Sequence, residues 1–346
     1  MAMTRTAVTI TDIARLAKTS TATVSYYLNG RFEHMSEKTR HKIKQAIIQT
    51  GYVPNAQSRM LSAKDARTGV IAVLILDNTN AWSGKLISGI ESVAFKHAYQ
   101  TILCNSNFRP EVESMYVEKM LSLGVDGFII QPTSQFMTIR KRIEAAGKKV
   151  VFYDTDLYDF NTCWIKTNLY EGVYSAISHC IEQGYDSFVL LAASDSDSDG
   201  FASNTRTRAE RLQGFVNALN THDLHYTGIA VTHTTPDVAQ LQEQLKNVIV
   251  PSKKTLIFTP HQWMLSRSFR ALTPVAHLIP ERIGLLGLNN AEWCQLTTPS
   301  ISTIVEPIYQ EGALACEMLF ELMHNADAQP KQKVLPCSFL WQASTR

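Results

Sequence analysis

From Gly69 onward, apolar and polar positions follow a regular beat. Short apolar runs recur: GVIAVLIL (69–76), YQTILCN (99–105), DGFIIQP (126–132), KKVVFYD (148–154), SFVLLAA (187–193), TLIFTP (255–260) and RIGLLGL (282–288). A strand that is apolar at successive positions has both faces covered, which is the condition of a strand inside a parallel sheet packed between helices. The intervening stretches, among them 84–97 and 111–123, have the length of crossover helices, about 12 to 15 residues. Seven such strands predict two parallel α/β sheets.

The first 68 residues follow another rhythm. In TITDIARLAKTSTATVSYYLNG, Thr9 can cap a helix with Asp12 as its third residue, and Ile10, Ile13, Ala14 and Ala17 share one face. Lys18-Thr19 forms a break, and Ser20 is an N-cap for a second short helix with Val24 and Leu28 inward. Thr21, Ala22, Ser25 and Tyr26 are left outside, a small hydrogen-bonding surface near that helix's N-terminus. A third helix starts after Ser36, turns Ile43 and Ile47 inward, and stops at Gly51. This is the pattern of an all-α helix-turn-helix with its reading helix. Beyond Pro54, Asn55 to Ser62 predicts one more short helix, too short to be stable alone in water.

Charge sharpens that division. Residues 1–68 hold 11 lysines and arginines against four acids, a net of +7, whereas the remaining residues carry −5. A small basic head on a larger acidic body points to a polyanionic partner for the head. The six cysteines are scattered with no C-x-x-C pair, which suits reduced thiols in a cytoplasm and neither a disulfide framework nor a zinc site. No apolar run reaches the length of a membrane span or of a secretory signal.

TITDIARLA, STATVS, LNG and GYVPN stand in the order and spacing of the LacI/GalR family of bacterial repressors, and the resemblance runs down essentially the whole chain. It implies a helix-turn-helix domain (1–54), a hinge helix and linker (55–68), and a two-lobed periplasmic-binding-protein-like effector domain. Its N-terminal lobe would be 69–166 with 306–335, and its C-terminal lobe 167–305 with 336–346. It also implies that Thr21, Ala22 and Tyr26 meet bases, that Ser20, Thr23, Ser25 and Asn29 hold phosphates, and that Tyr52 and Asn55 belong to the same DNA-binding set. Leu61 matches the leucine that paired hinge helices wedge into the minor groove. Two positions depart from the family. Lys18-Thr19 stands where Gly-Val is usual, and a non-glycine in a left-handed turn costs about 1 kcal/mol. Tyr26 stands where arginine is common and cannot make arginine's bidentate contact to guanine.

In parallel sheets, ligands gather beyond the carboxyl ends of the strands. Those ends supply Trp82, matching an aromatic that stacks on the effector (the alternative being a core residue between the lobes), and Asp154, at a position that accepts from sugar hydroxyls. Asn168 falls at a crossover between lobes, and Arg211, in ERLQGF, resembles the family's ligand-binding arginine. His261 and Asn289 stand where many members carry carboxylates. With two carboxylates replaced and Arg211 kept, the cleft is expected to favour a carboxylated or phosphorylated sugar derivative; a neutral sugar held by other hydrogen bonds is the alternative.

Motifs for other classes fail. WSGKL lacks the first glycine and the Ser/Thr of a phosphate loop, there is no G-x-S-x-G or H-E-x-x-H, and the ten histidines have no ligand spacing. No metal or cofactor is therefore expected and no enzymatic activity. A free sugar-binding receptor would need a signal sequence and no basic head; a sugar-converting enzyme with an accessory DNA-binding head is the other alternative. DSDSDGF (195–201) begins like a calcium loop but follows a strand and places Arg206 at position twelve, where calcium needs glutamate. It reads as an acidic solvated loop leading to Arg211. No apolar heptad tail follows VLPCSFLWQASTR, so a homodimer is expected and not a coiled-coil tetramer. The partners implied are double-stranded operator DNA and a small sugar-like effector. Leu61→Ala should weaken binding to a specific operator by about tenfold or more, with much less effect on unrelated DNA; equal losses in a gel-shift titration would remove the wedge assignment.

Overall fold

The computed structural model describes residues 8–28, 30–52, 67–79, 81–155, 161–193, 206–231, 238–288 and 292–346. It separates into two units, Met1–Thr68 and Gly69–Arg346. In the first unit, α1 (Ile10–Ala17) opens on a capping box: Thr9 N donates to Asp12 Oδ2 at 3.0 Å, and Asp12 N returns to Thr9 Oγ1 at 3.4 Å. The helix ends at Lys18, which takes the left-handed conformation (φ 51°, ψ 53°) that the sequence places there. Ser20 then caps α2 (Thr21–Leu28), its Oγ accepting from Thr23 N at 3.1 Å. Ser36 caps α3 (Glu37–Thr50), and Gly51 stops it at φ 64°. Ile13, Ala14, Ala17, Val24, Ile43 and Ala46 form the core of this unit. So small a core leaves a three-helix head marginally stable. The helix expected over 55–62 lies outside the described residues.

The second unit is built on two six-stranded sheets. The first collects β1 (Val70–Ile75), β2 (Gln100–Asn105), β3 (Gly127–Ile130), β4 (Lys149–Tyr153), β5 (Trp164–Thr167) and β11 (Gln332–Leu335) in the order β11-β5-β4-β3-β1-β2. Every pairing in it is parallel. The second collects β6 (Ser187–Ala193), β7 (Tyr226–Val231), β8 (Thr255–Thr259), β9 (Ile283–Leu288), β10 (Ser302–Val305) and β12 (Ser338–Leu340) in the order β12-β10-β9-β8-β6-β7. Here β12 runs antiparallel to β10, so the all-parallel expectation fails at one edge. The described residues hold twelve strands where the apolar pattern shows seven. The five others are short or lie at sheet edges. WIKT and QKVL pair with each other, YTGIAV is largely exposed at an edge, STIV opens on polar residues, and SFL has three. None carries the apolar run that betrays a doubly covered strand.

Helices cover both faces of each sheet. On the first sheet, α4 (Ala81–Lys96) and α11 (Ile308–His324) close one side, and α5 (Pro110–Ser122) and α6 (Phe136–Ala145) the other. On the second, α7 (Leu169–Glu182) and α8 (Arg206–Thr221) close one side, and α9 (Val238–Val248) and α10 (Gln262–Leu272) the other. The chain passes between sheets at Asn168, at Glu306–Pro307 and at Pro336–Cys337. No helix among the described residues is long and apolar enough to cross a membrane.

α4 and α11 cross with their backbones nearly touching. A Cβ on Gly312 would stand 2.2 Å from Leu86 O, and one on Gly89 would stand 2.1 Å from Tyr309 O. Gly84, on the same helix as Gly89, has open space around its missing Cβ. Gly312→Ala should therefore lower the unfolding free energy by about 1–3 kcal/mol or more, as overpacking does. Gly84→Ala should raise it by about 0.5–1 kcal/mol through helix propensity. Urea denaturation of the two variants checks the contrast; similar small effects would contradict the close crossing.

Candidate functional sites

The first site is the exposed side of α2. Thr21 and Ala22 are exposed, and Tyr26 is 37% exposed. Ser20 and Thr23 are tied together by the cap, their hydroxyls 2.9 Å apart, and Thr23 and Ser25 are half-buried. Tyr52 is half-buried and packs against the head's core, which gives it a structural anchor that the DNA-binding expectation did not include. Asn29, Asn55 and Leu61 lie outside the described residues. Arg15, Lys18, Arg31, Lys38, Lys42 and Lys44 of the same unit are all exposed.

The second site lies where the strand ends of the two sheets meet the crossovers. At the end of β4, Asp154 takes a left-handed backbone (φ 53°). Its Oδ2 accepts from Gln131 Nε2 at 2.7 Å, and its backbone N–H donates to Glu311 Oε1 at 3.0 Å. From the second sheet's side, α8 brings Arg211, whose Nη1 donates to Pro260 O at 3.1 Å and lies 3.4 Å from His261 Nδ1. Beside it, Glu210 pairs with Lys166 at the end of β5. Arg211 and His261 thus meet directly, and the charge of Arg211 acts on Asp154.

Three expectations change. Trp82 is 7% exposed and stacks on Tyr153 with ring centroids 6.1 Å apart, so it sits in the first lobe's core with little ring left to face a ligand. Asn168 is a staple between crossovers: its Oδ1 accepts from Cys337 N at 2.6 Å, and its N–H donates to Leu335 O at 2.9 Å. That commitment takes its carboxamide oxygen away from an effector. Burial, with Arg211 and Arg208 nearby, holds His261 well below the usual imidazole range, so it is a neutral acceptor and adds no positive charge. Asn289 and the DSDSDGF loop lie outside the described residues.

The cleft also holds carboxyls that the strand-end reading of the sequence missed. Glu306 is 3% exposed, and Glu311 is fully buried with Oε2 3.5 Å from Thr167 Oγ1. Glu306 follows β10, one of the strands that the apolar pattern hid, while Glu210 adjoins Arg211 in ERLQGF and was in plain view. Burial, and then the charge of Glu306, push Asp154 up to about 7. Burial and the charges of Asp154 and Glu306 hold Glu311 well above the usual carboxylate range. Away from the cleft, a cavity of about 350 Å³ opens between Arg140, Lys149 and Leu322. Its Arg140 is already committed to Glu144, Thr162 and Asn161 O.

A helix-turn-helix head joined to a two-lobed α/β body, with polar groups gathered at the crossovers, defines a ligand-responsive DNA-binding regulator. Comparison with known proteins specifies the class. Residues 9–55 match the bacterial regulatory proteins of the lacI family, and residues 177–345 match the periplasmic binding protein-like domain. The chain thus combines a LacI-family helix-turn-helix domain with a periplasmic-binding-protein-like domain. It is 27% identical to catabolite control protein A of Staphylococcus epidermidis, over 98% of this chain and 99% of that one. Its fold is similar to that of the lac repressor dimer bound to operator and the anti-inducer ONPF, with a TM-score of 0.80 and 21% identity over 98% and 99% of the two chains. It is also similar to a LacI-family regulator from Enterococcus faecium with bound ribose, with a TM-score of 0.68 and 23% identity over 80% and 98%.

The buried acids make a sign-defined prediction. An unfolded aspartate releases its proton near pH 3.8, whereas folded Asp154 keeps it to about 7. Stability contributed by this group is therefore present at low pH and lost as pH rises through that window. Asn tolerates a left-handed backbone and can still accept from Gln131. Asp154→Asn should thus stabilise the protein at pH 8 by an amount on the order of a few kcal/mol, and by less at pH 5. Thermal melts at the two pH values check this; an equal shift at both would contradict it.

Proposed function

We propose that the protein binds a near-palindromic operator as a homodimer and that a neutral, polyhydroxylated sugar held in the cleft alters its affinity for that DNA. The observation that carries the effector reading is a set of buried polar atoms with no hydrogen-bond partner: Asp154 Oδ1, Glu210 Oε2, Arg211 Nε and Gln262 Oε1. They are linked through the contacts of Arg211 with Pro260 and His261 and through the electrostatic influence of Arg211 and Glu210 on Asp154. Leaving such groups unpaired costs about 1–3 kcal/mol each, which a ligand bearing both donors and acceptors removes. Vicinal hydroxyls meet that requirement at both signs of charge.

An anionic effector fits less well than the sequence suggests. Arg211 remains, but His261 is neutral, and besides burial the negative charges of Glu306 and Glu210 act on Asp154 to favour its protonated form. A second carboxylate or phosphate would meet them at close range. The bound ribose of the Enterococcus faecium regulator supports a neutral sugar by likeness of fold.

Linkage supplies the regulation. An effector that prefers one arrangement of the two lobes changes DNA affinity by the ratio of its affinities for the two arrangements, and DNA changes effector affinity by the same factor. Contacts from the basic head to phosphates should make DNA binding fall steeply with salt. Titration calorimetry against neutral pentoses, hexoses and disaccharides, with matched sugar acids and sugar phosphates, tests the effector class. A neutral sugar should give saturable binding, shift the affinity for a selected duplex, and lose at least about tenfold in Arg211→Ala. Saturable binding of the acids or phosphates alone would overturn the neutral-sugar reading.

A further inference from the structure

We propose that His34 is a positioning residue for Tyr26, and that the contact between their rings sets which base the reading helix prefers. The inference rests on the DNA-binding role of α2 given above. Tyr26 occupies the position where a fork of arginine donors would be self-orienting. A phenol offers one hydroxyl, so its direction decides which base edge it can meet. On an exposed helix face a tyrosine would ordinarily sample several rotamers, and binding would have to restrict them.

Here the ring is held. The Tyr26 and His34 centroids are 4.8 Å apart with the planes tilted by 37°, within the range of favourable aromatic pairs. His34 itself stands on a built platform, the 3-10 turn Phe32–His34. Arg31 N donates to Tyr26 O at 2.9 Å and Gly30 N to Tyr27 O at 3.1 Å, which ties the entry of that turn to the end of α2. Phe32 meets the Tyr27 ring edge-on at 5.8 Å, and the Arg40 guanidinium of α3 lies 3.9 Å over its face. Met35, which follows, packs against the head's core. Finally, His34 Nε2 lies 3.4 Å from Glu33 Oε1, so the imidazole has a partner at its outer edge as well. The His34 and Glu33 side chains are 53% and 66% exposed, so this arrangement adds little to stability. Its effect falls on where the Tyr26 hydroxyl points.

Selection from a randomised duplex pool with the full chain, followed by fluorescence anisotropy, tests the proposal. Affinities are compared for the selected duplex, for duplexes with single base changes, and for an unrelated duplex. In His34→Ala, discrimination at one base pair per half-site should fall about fivefold, with binding to unrelated DNA nearly unchanged. His34→Phe keeps a ring against Tyr26 and should retain the discrimination, and Tyr26→Phe should lose it at the same base pair. If both His34 variants weaken all duplexes alike, His34 is a phosphate contact and the proposal falls. It falls equally if His34→Ala leaves discrimination intact. A pool that yields no enriched sequence overturns the operator reading itself, and this proposal with it.

Discussion

The hydrogen bond from the Asp154 backbone to the buried carboxyl of Glu311 is the constraint on which the candidate cleft depends. It joins the end of β4 to the first turn of α11, and it holds Asp154 in a left-handed backbone that most residues avoid. The bond exists because α11 lies against α4 with glycine at both points of backbone contact, Gly89 and Gly312. One residue from Gly312, Glu311 is thereby carried into the interior at the strand ends. A buried ionised carboxyl is costly, which holds Glu311 well above the usual carboxylate range, and its oxygens accept from Asp154 N and Thr167 Oγ1. Helix packing, backbone conformation and protonation are in this way one arrangement.

The three crossovers are coupled to the same place. Asn168 Oδ1 accepts from Cys337 N and Asn168 N donates to Leu335 O, so the first and third passages between sheets are tied to each other. Glu306 begins the second passage and faces Asp154 and Glu311 electrostatically. A ligand that touches Asp154 from one sheet and Arg211 from the other therefore acts across all three connections. This is the property that linkage between effector and DNA requires: a site whose occupancy favours one relation of the lobes over another.

The head works on a different scale. Its core is six small or medium apolar residues, and its precision comes from local devices: the capping box at Thr9 and Asp12, the Ser20 and Ser36 caps, and the left-handed stops at Lys18 and Gly51. The reading surface inherits this locality. Tyr26 meets the ring of His34 on a turn only a few residues further along the chain, so what positions it lies inside the head.

Local patterns alone determined much of this protein. The capping signals, the periodic faces of the three head helices and the seven doubly buried strands all act over a few residues, which is why they are legible without a structure. Asp154 was legible as a strand end, and Arg211 through the family resemblance carried by ERLQGF. The tertiary structure decided what depends on distant partners. It showed five edge or crossing strands whose hydrogen bonds come from segments as far apart as 164–167 and 332–335. It moved Trp82 into the core against Tyr153 and turned Asn168 into a staple on Cys337. It also decided the electrostatics of the cleft, since the state of His261 and the acidity of Asp154 depend on burial and on Arg211 and Glu306, residues 50 to 152 positions away. Charge in a cleft is a sum over neighbours in space, and only the folded chain says which those neighbours are.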